Sequence, residues 1–373
     1  MVRVLHVIHG MDCGGTENMI MNLYRKIDRK KLQFDFLVHT DKPCFFDEEI
    51  KKLGGKIYQV PYYNLINELK YRKSISLFLK THPEYKIIHG HLGSCAHIYL
   101  KIAKKYGLYA IAHSHSANSS ITSLKNILYL SFNRITGKIA DHIFACSYEA
   151  GICRYGKKVC TESKFEVIKN AIDSEKYLPD MDAVKSIKDE LLLDNSFTVG
   201  HIGRLTEAKN HAFLLKVFAE ILNLKPDAKL LLVGEGELRK EIEAKVKEMG
   251  LCEKVIITGI RSDVSQIIHT MDCFVFTSLY EGLGIAVIEA ECAGIPCFIN
   301  KTLPKDLDIN PNLFRISLKE TPLEWAKIIV DNCNNKIDNK VALENIKKSG
   351  YDISKTATHL ENFYNSIMEE KAK

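Results

Sequence analysis

Hydrophobic and polar positions follow two alternating periods along the chain. Short runs of Val, Ile, Leu and Phe suit strands buried on both faces, and stretches with apolar residues three and four apart predict helices. Residues 2–9 open with such a run, followed by a Gly-rich turn and a helix over 16–27. Strands are predicted over 34–38 and 56–60, the second stopped by Pro61. Helical spacing covers 66–80, a strand 87–91, and a helix 96–106 that Gly107 closes. Further strands cover 109–113 and 143–147. Strand, helix, strand at this rhythm predicts a parallel sheet covered on both faces.

The second half restarts the rhythm. Residues 167–170 close the first domain, and the polar stretch 173–189 reads as a linker leading into a surface helix. Strands are predicted over 197–202, 229–233, 255–258, 273–277 and 297–300. Helices are predicted over 211–222, 238–249, 264–269 and 284–293, with Gly250, Gly294 and Pro296 as stops, and the tail 354–371 is helical. The expected fold class is therefore α/β, with two domains at 1–172 and 173–353 and a cleft between them. In open parallel sheets ligands sit at the C-terminal ends of strands, so the residues just after strands are the ones to examine. No repeat of 20–50 residues and no low-complexity segment occurs.

Composition narrows the class. At 46% hydrophobic and 26% charged, the 373 residues exclude collagen-like and wholly disordered chains. No apolar run reaches the length of a membrane helix, and the polar-interrupted N-terminus reads as a strand rather than a signal peptide. Eleven cysteines include no Cys-x-x-Cys pair, and residues such as Cys146 and Cys273 sit inside apolar runs. That pattern predicts reduced thiols in a cytoplasmic protein rather than a disulfide scaffold or a zinc site. The net charge of +6 is uneven: residues 1–172 carry 26 Lys/Arg against 14 Asp/Glu, and residues 173–373 carry 26 against 32. Either the two domains have differently solvated faces, or the first meets an anionic partner such as a membrane surface or a phosphorylated lipid. Nucleic acid is not indicated, because the basic residues are spread and no such motif accompanies them.

Several clusters after strands carry candidate chemistry. Gly14, Gly15, Thr16 and Glu17 open a helix, where glycines let backbone N–H groups approach an anion, although a tight turn alone would use the same residues. The pattern is not Gly-x-Gly-x-x-Gly. His89 and His91 follow one strand, and His113 and His115 the next, ahead of the Ser-rich loop 116–123. No Cys or carboxylate stands at metal-ligand spacing, so hydrogen-bonding or acid–base histidines are expected. Arg204 and Lys209 lie between a strand and a helix, positioned to clamp a diphosphate; solvated loop charges are the plain alternative. Glu281, Gly282, Leu283 and Gly284 lead into a helix that carries Glu289. The Glu-x7-Glu spacing recurs at Glu235/Glu243 and Glu361/Glu369, so it means nothing alone. Strand, Gly-rich turn, helix and acid together point to a diphosphate at the helix start with Glu289 on ribose hydroxyls. Gly234-Glu235-Gly236 also follows a strand. Asp180/Asp182 and Asp306/Asp308 end no strand and read as loop residues, so no metal site is expected. Residues 125–138 are either a basic amphipathic face or a core-packed helix.

In this order the motifs resemble the retaining glycosyltransferases of family 4, with the GT-B fold, over about residues 2–370. The segment from His9 to Glu17 and the stretch Ala112 to His115 most resemble bacterial capsular and exopolysaccharide glycosyltransferases. The resemblance implies two Rossmann-like doubly wound domains facing a cleft. The first, 1–172, would bind the acceptor, with the C-terminal helix 354–373 crossing back to it, and 173–353 would bind the nucleotide sugar. Arg204 and Lys209 would hold the donor diphosphate and stabilise the leaving group, and Glu289 would hold the ribose. Glu281, Gly282, Leu283 and Gly284 would face the sugar and phosphate, Gly15 and Gly234 the phosphates, and Ile260 and Arg261 the base. His115 matches the family's active-site histidine, with His113 left open. No cofactor is implied beyond a nucleoside-diphosphate sugar, UDP-linked by the resemblance, and no metal. The implied acceptor is a growing lipid-linked glycan at the inner face of the plasma membrane. A nucleotide-sugar epimerase and a non-catalytic partner subunit of the same fold are the alternatives, although the latter would be expected to have lost Arg204, Lys209 or Glu281. A nicotinamide dehydrogenase lacks its glycine signature here.

Overall fold

Two all-parallel sheets, each in its own unit, account for the repeated rhythm. The computed structural model describes residues 1–115 and 124–372, without the side chains of 124–127 and 372. The expected polar loop over 116–123, the first side chains of the 125–138 stretch, and Lys373 therefore lie outside the described residues.

The first unit comprises Met1–Ala171 and Ile353–Lys373. Its chain runs β1 (Val2–Ile8), α1 (Gly15–Lys26), β2 (Leu32–Val38), α2 (Asp47–Lys52), β3 (Ile57–Gln59), α3 (Glu68–Thr81), β4 (Ile87–Gly90), α4 (Ala96–Lys105), β5 (Tyr109–Ser114), α5 (Leu124–Ile139), β6 (His142–Ala145), α6 (Tyr148–Tyr155) and β7 (Phe165–Val167). The strand order is β3-β2-β1-β4-β5-β6-β7, so the chain reverses its direction of growth between β1 and β4. Every residue of β2 is buried, and it pairs with β1 in unbroken register from Val2↔Leu32 to Ile8↔Val38. The only charges inside this pair are themselves joined: Arg3 meets Asp35 at 2.5 Å, and Tyr85 donates to the same carboxylate at 2.7 Å. One face packs Tyr24, Phe34 and Phe36 under α1, and the other packs Tyr71, Ile75 and Tyr99 under α3 and α4.

The second unit, Ile172–Asp352, runs α7 (Met181–Glu190), β8 (Thr198–Ile202), α8 (His211–Leu224), β9 (Lys229–Val233), α9 (Arg239–Glu248), β10 (Val255–Gly259), α10 (Val264–Ile267), β11 (Cys273–Phe276), α11 (Ile285–Cys292), β12 (Cys297–Asn300), β13 (Leu313–Ile316), α12 (Pro322–Asn332) and α13 (Asn339–Lys348). Its strand order is β10-β9-β8-β11-β12-β13, which switches between β8 and β11. The chain then returns to the first unit as α14 (Ile353–Ala372), whose Leu360, Tyr364 and Ile367 join the core beneath α1. Each junction falls one residue earlier than expected. Ile172 donates its N–H to the Tyr351 carbonyl at 2.8 Å and bridges Asp352, which ties it to the second unit, and Ile353 already packs in the first.

Helices α2, α6, α12 and α13 and strand β13 add to the predicted elements. The α12 start is a full capping box: Thr321 caps, Pro322 occupies the first turn, and Glu324 reaches back. All eleven cysteines stand outside any disulfide, and most of them are buried. Among the described residues no helix is long and apolar enough to cross a membrane.

Candidate functional site

In the second unit Arg204, Lys209, Glu281, Gly282, Leu283, Gly284 and Glu289 stand on the segments that follow β8 and β11, the two strands flanking the topological switch, and Gly234, Ile260 and Arg261 follow β9 and β10. The segment after β8 is tied to the segment after β11 by main-chain bonds. Leu279 donates its N–H to the Ala208 carbonyl at 2.8 Å, and the Thr277 hydroxyl is 3.2 Å from the carbonyls of both Lys209 and Asn210. Lys209 thereby reaches Glu281, with its ammonium 2.5 Å from a carboxylate oxygen and 4.6 Å from the centre of the Phe276 ring. Both side chains are largely buried. Arg204 is exposed and makes no side-chain hydrogen bond or ion pair among the described residues. A planar guanidinium left without a partner beside a lysine is a ready diphosphate clamp.

Helix α11 begins where that clamp ends. Gly284 takes a left-handed conformation, φ +92°, as its N-cap, and no side chain caps the helix. The Val287 N–H bonds back to the Gly284 carbonyl at 2.9 Å, and the Ile285 and Ala286 amides ahead of it keep their hydrogen-bonding capacity, which favours an anion at this end. Leu283 is buried, and Gly282 is half-buried beside it. Glu289 stands further along α11, half-buried, and hydrogen-bonds the hydroxyl of the buried Tyr177. Burial pushes the Glu289 carboxyl up to about 7, against the lowering effect of the Tyr177 bond. No cation pairs with it among the described residues, so hydrogen-bond donors from a ligand would meet a carboxylate short of partners.

Gly234 and Gly236 have a structural task. The Gly234 backbone has φ +143°, and a Cβ there would lie 2.1 Å from the Gly203 carbonyl oxygen. A Cβ on Gly236 would lie 2.4 Å from the Leu205 carbonyl oxygen. The turn after β9 therefore presses on the segment that carries Arg204 and fixes its path through the bond from Leu205 N–H to the Glu235 carbonyl, 3.0 Å. Ile260 is exposed after β10. The Arg261 guanidinium is engaged by Glu190, at 2.5 and 3.0 Å, and by Asp263, at 2.9 and 2.7 Å, so only its backbone is available to a base. The Asp-x-Asp pairs are also engaged: Asp180 caps α7, and Asp308 meets Arg315 at 2.6 Å.

The first unit holds five histidines at its own switch point. Rings from β1, β4, β5 and the residues just after them form two hydrogen-bonded rows that stack on each other. In one row His6 Nδ1 meets His91 Nε2 at 2.9 Å, His91 Nδ1 meets His115 Nε2 at 2.8 Å, and His115 Nδ1 meets Asn170 Oδ1 at 3.4 Å. The Asn170 oxygen accepts, so each of these three rings carries its proton on Nδ1; His91 and His115 accept on Nε2, and His6 Nε2 is buried without a partner among the described residues. In the other row the Tyr364 hydroxyl of α14 meets His89 Nδ1 at 2.7 Å, and His89 Nε2 meets His113 Nδ1 at 3.2 Å. His113 Nε2 is buried without a partner among the described residues. Burial lowers every one of these histidines, His6 to about 3 and His115 to about 4, so all are neutral at pH 7. The nitrogens of His91, His113 and His115 lie within 4.8 Å of one another. Even so, His113 and His115 stack at 4.0 Å with a 27° tilt. Stacked rings direct their lone pairs side by side, not at one tetrahedral centre. Both His115 nitrogens are engaged, and His113 keeps one free but buried. Gly15 is the first residue of α1, after the loop that leaves β1.

Sequence reading missed Tyr177, Asn170, His6 and Tyr364. Asn170 follows β7 and was findable by the rule that ligands sit after strands; His6 lies inside β1, and Tyr177 and Tyr364 gave no local signal.

Models of two known families match the chain: glycosyltransferase family 4 over residues 13–176, and glycosyl transferases group 1 over residues 183–309. A Bacillus subtilis protein named as the glycosyltransferase EpsF is 32% identical over 99% of this chain and 97% of its own length. The Escherichia coli UDP-Gal:alpha-D-GlcNAc-diphosphoundecaprenol alpha-1,3-galactosyltransferase is 26% identical over 83% of this chain and 82% of its own. Among solved structures, Anabaena Alr3699/HepE in complex with UDP superposes with a TM-score of 0.77 at 17% identity, covering 98% of this chain and 100% of that one.

Proposed function

The chain belongs to the family 4, group 1 glycosyltransferases of GT-B fold, and from that premise we propose that it transfers a sugar, with retention, from a UDP-linked donor to a lipid-linked glycan acceptor. The observation that carries the donor half is the arrangement at the ends of β8 and β11. An unpaired Arg204, Lys209 held by Glu281, the uncapped start of α11 and the partner-poor Glu289 carboxyl stand on the two segments that follow β8 and β11 in the second unit. A nucleoside diphosphate matches them group for group: diphosphate to Arg204, Lys209 and the α11 amides, ribose hydroxyls to Glu289.

The chemistry follows from charge. As the bond from the anomeric carbon to the diphosphate lengthens, negative charge gathers on the leaving oxygens. Arg204 and Lys209 are the fixed positive groups to stabilise it. Lys209 must then exchange Glu281 for phosphate, which leaves Glu281 open to hydroxyls of the donor sugar. The acceptor hydroxyl attacks from the face the diphosphate leaves and passes its proton to the departing diphosphate oxygen, giving retention. Uridine is supported by the UDP-Gal relative and the UDP-bound structural neighbour, and a lipid diphosphate acceptor by the relative's own acceptor. The enzyme would act from the cytoplasm on the inner membrane face, with the excess Lys/Arg of residues 1–172 drawn to the anionic surface.

The test is transfer from UDP-glucose and UDP-galactose to GlcNAc-diphosphoundecaprenol in detergent. The proton coupling of the new anomeric centre should report the α configuration of the donor. A β product would refute retention. Turnover of donor alone to an epimer would refute transfer.

A further inference from the structure

Arg154 is an arginine without an answering acid. It lies in the last turn of α6, half-buried, and its guanidinium donates no hydrogen bond and joins no ion pair among the described residues. A partly desolvated guanidinium has five donors to satisfy, and leaving them idle is costly. The fold nevertheless makes room for it. A Cβ on Gly93, in the loop after β4, would overlap Arg154 Nη1, so the glycine lets the guanidinium rest against that loop. The same Cβ would lie 2.8 Å from Oδ1 of Asn133 on α5, so the carboxamide and the guanidinium converge on one point. Asn133 is nine-tenths buried, and its oxygen has no partner among the described residues.

The missing acid is a property of the sequence. From Tyr85 to Ala140 the chain has seven Lys/Arg and no Asp or Glu. That span supplies β4, α4, β5 and α5, so none of them brings a carboxylate to Arg154. Glu149, on α6 itself, is exposed and about 140° around the helix from Arg154. An anion from outside the chain would complete the arrangement. The start of α4 favours one as well. No side chain caps it, the Ile98 and Tyr99 amides turn back to the Cys95 carbonyl at 2.9 and 3.3 Å, and the Ala96 and His97 amides stand ahead of them, shortly after Gly93. The point also adjoins the histidine rows. Burial is the main cause of the low pKa of His113 and His115, and the Arg154 charge lowers both further.

We propose that Arg154 is the anion-binding residue of the first unit: its fork takes a phosphoryl group of the acceptor, and the Asn133 oxygen accepts from a hydroxyl of the sugar that this group carries. A guanidinium suits the task better than an ammonium, because two parallel N–H groups meet two phosphoryl oxygens. The source of the phosphate rests on the lipid-linked acceptor reading; the anion site rests on Arg154, Gly93 and Asn133. The acceptor is then gripped beside the sugar that receives, and its phosphate becomes a determinant of specificity.

Calorimetric titration of the full chain, with UDP at saturation to fill the second unit, measures the site. The probes are GlcNAc 1-phosphate, inorganic phosphate and plain GlcNAc. The wild type should bind GlcNAc 1-phosphate at least about tenfold more tightly than either of the others, because only it offers both groups. Arg154→Met should weaken GlcNAc 1-phosphate at least about tenfold, and Arg154→Lys should recover part of the loss. Asn133→Ala should weaken GlcNAc 1-phosphate and leave inorganic phosphate as it was. Melting temperature and UDP binding, read on the same samples, should stay at wild-type values in Arg154→Lys. In transfer assays Arg154→Met should raise KM for GlcNAc-diphosphoundecaprenol at least about tenfold more than KM for octyl α-GlcNAc, a neutral acceptor. A merely structural role would raise both alike. The proposal is overturned if the wild type does not bind GlcNAc 1-phosphate, if Arg154→Met binds it as well as wild type, or if both acceptors lose equally. Equal affinity for inorganic phosphate and GlcNAc 1-phosphate would overturn the assignment to the acceptor in favour of free phosphate. Binding that needs Arg154, without transfer to either acceptor, would refute the acceptor reading and leave the anion site standing.

Discussion

With the donor ribose on Glu289, as proposed, donor binding should depend on pH in a way that can be calculated. The Glu289 carboxyl in the free protein titrates at about 7, because burial disfavours the charged form. Ribose hydroxyls donate hydrogen bonds, and the ionised carboxylate accepts them better, so binding selects the ionised state. Above pH 7 that state is already populated, and below it each pH unit lowers the competent fraction about tenfold. UDP-glucose should therefore bind about tenfold more weakly at pH 6 than at pH 8, roughly 1.4 kcal/mol. UDP-glucose is the ligand of choice because its diphosphate, esterified at both ends, does not titrate in this range. Stability has the opposite sign. A carboxyl raised from 4.5 to about 7 in the fold costs stability increasingly from pH 4.5 to 7 and by a constant amount above, up to about 3 kcal/mol. Glu289→Gln, which can keep the Tyr177 contact, should therefore raise the melting temperature at pH 8 and leave it unchanged near pH 4.5. The same variant should bind UDP-glucose weakly with no slope between pH 6 and 8. Calorimetric titration and thermal melts across that range decide it. A wild-type affinity that is flat with pH, or a Gln variant with the wild-type slope, would refute the assignment of ribose to Glu289.

Four further outcomes are expected. Lys209→Met should lower kcat by about 10²–10³ and leave the fold intact, measured as UDP-sugar turnover, because a fixed charge at the leaving group acts mainly in the transition state. Gly234→Ala should destabilise the second unit by about 3 kcal/mol or more, read as a fall in denaturant midpoint, since its Cβ meets the Gly203 carbonyl oxygen at 2.1 Å. Long-range proton–nitrogen NMR at pH 7 should find His6, His91 and His115 all protonated on Nδ1, the less common tautomer of free imidazole; Nε2 protonation at His91 would break the proposed row. Because these folded histidines titrate far below 6.5, the unfolded chain binds more protons as pH falls below 6.5. The first unit should then lose stability steeply between pH 6 and 4, by about 1.4 kcal/mol per pH unit for each histidine.

Much of the fold was legible because parallel strands buried on both faces must be continuous apolar runs, as β2 and β11 are. The ends of those runs located the candidate residues as well: Arg204, Lys209 and Glu281 all follow β8 or β11. The elements that escaped are short or weakly patterned. Helix α2 has a single buried residue, Ile50, and no position of the edge strand β13 before Ile316 is fully buried. Helix α12 is different, because its Thr321-Pro322-x-Glu324 start is a written signal. Pairings between distant residues were not legible. Nothing near Glu289 indicates Tyr177, more than a hundred residues earlier, and nothing near His89 indicates Tyr364 on the last helix. The Gly234-Glu235-Gly236 pattern was visible but its reason was not: the glycines admit a neighbouring backbone. Arg261 shows the converse, a basic residue in a promising place whose charge two carboxylates already hold.

The most direct measurement is nucleotide binding by thermal shift, with UDP, GDP and ADP offered to the wild type and to Glu289→Ala. The account predicts that UDP raises the melting temperature of the wild type and that the variant loses that rise. A wild type that responds to none of the three would contradict a donor site at the ends of β8 and β11, and a variant that still responds in full would contradict the role given to Glu289.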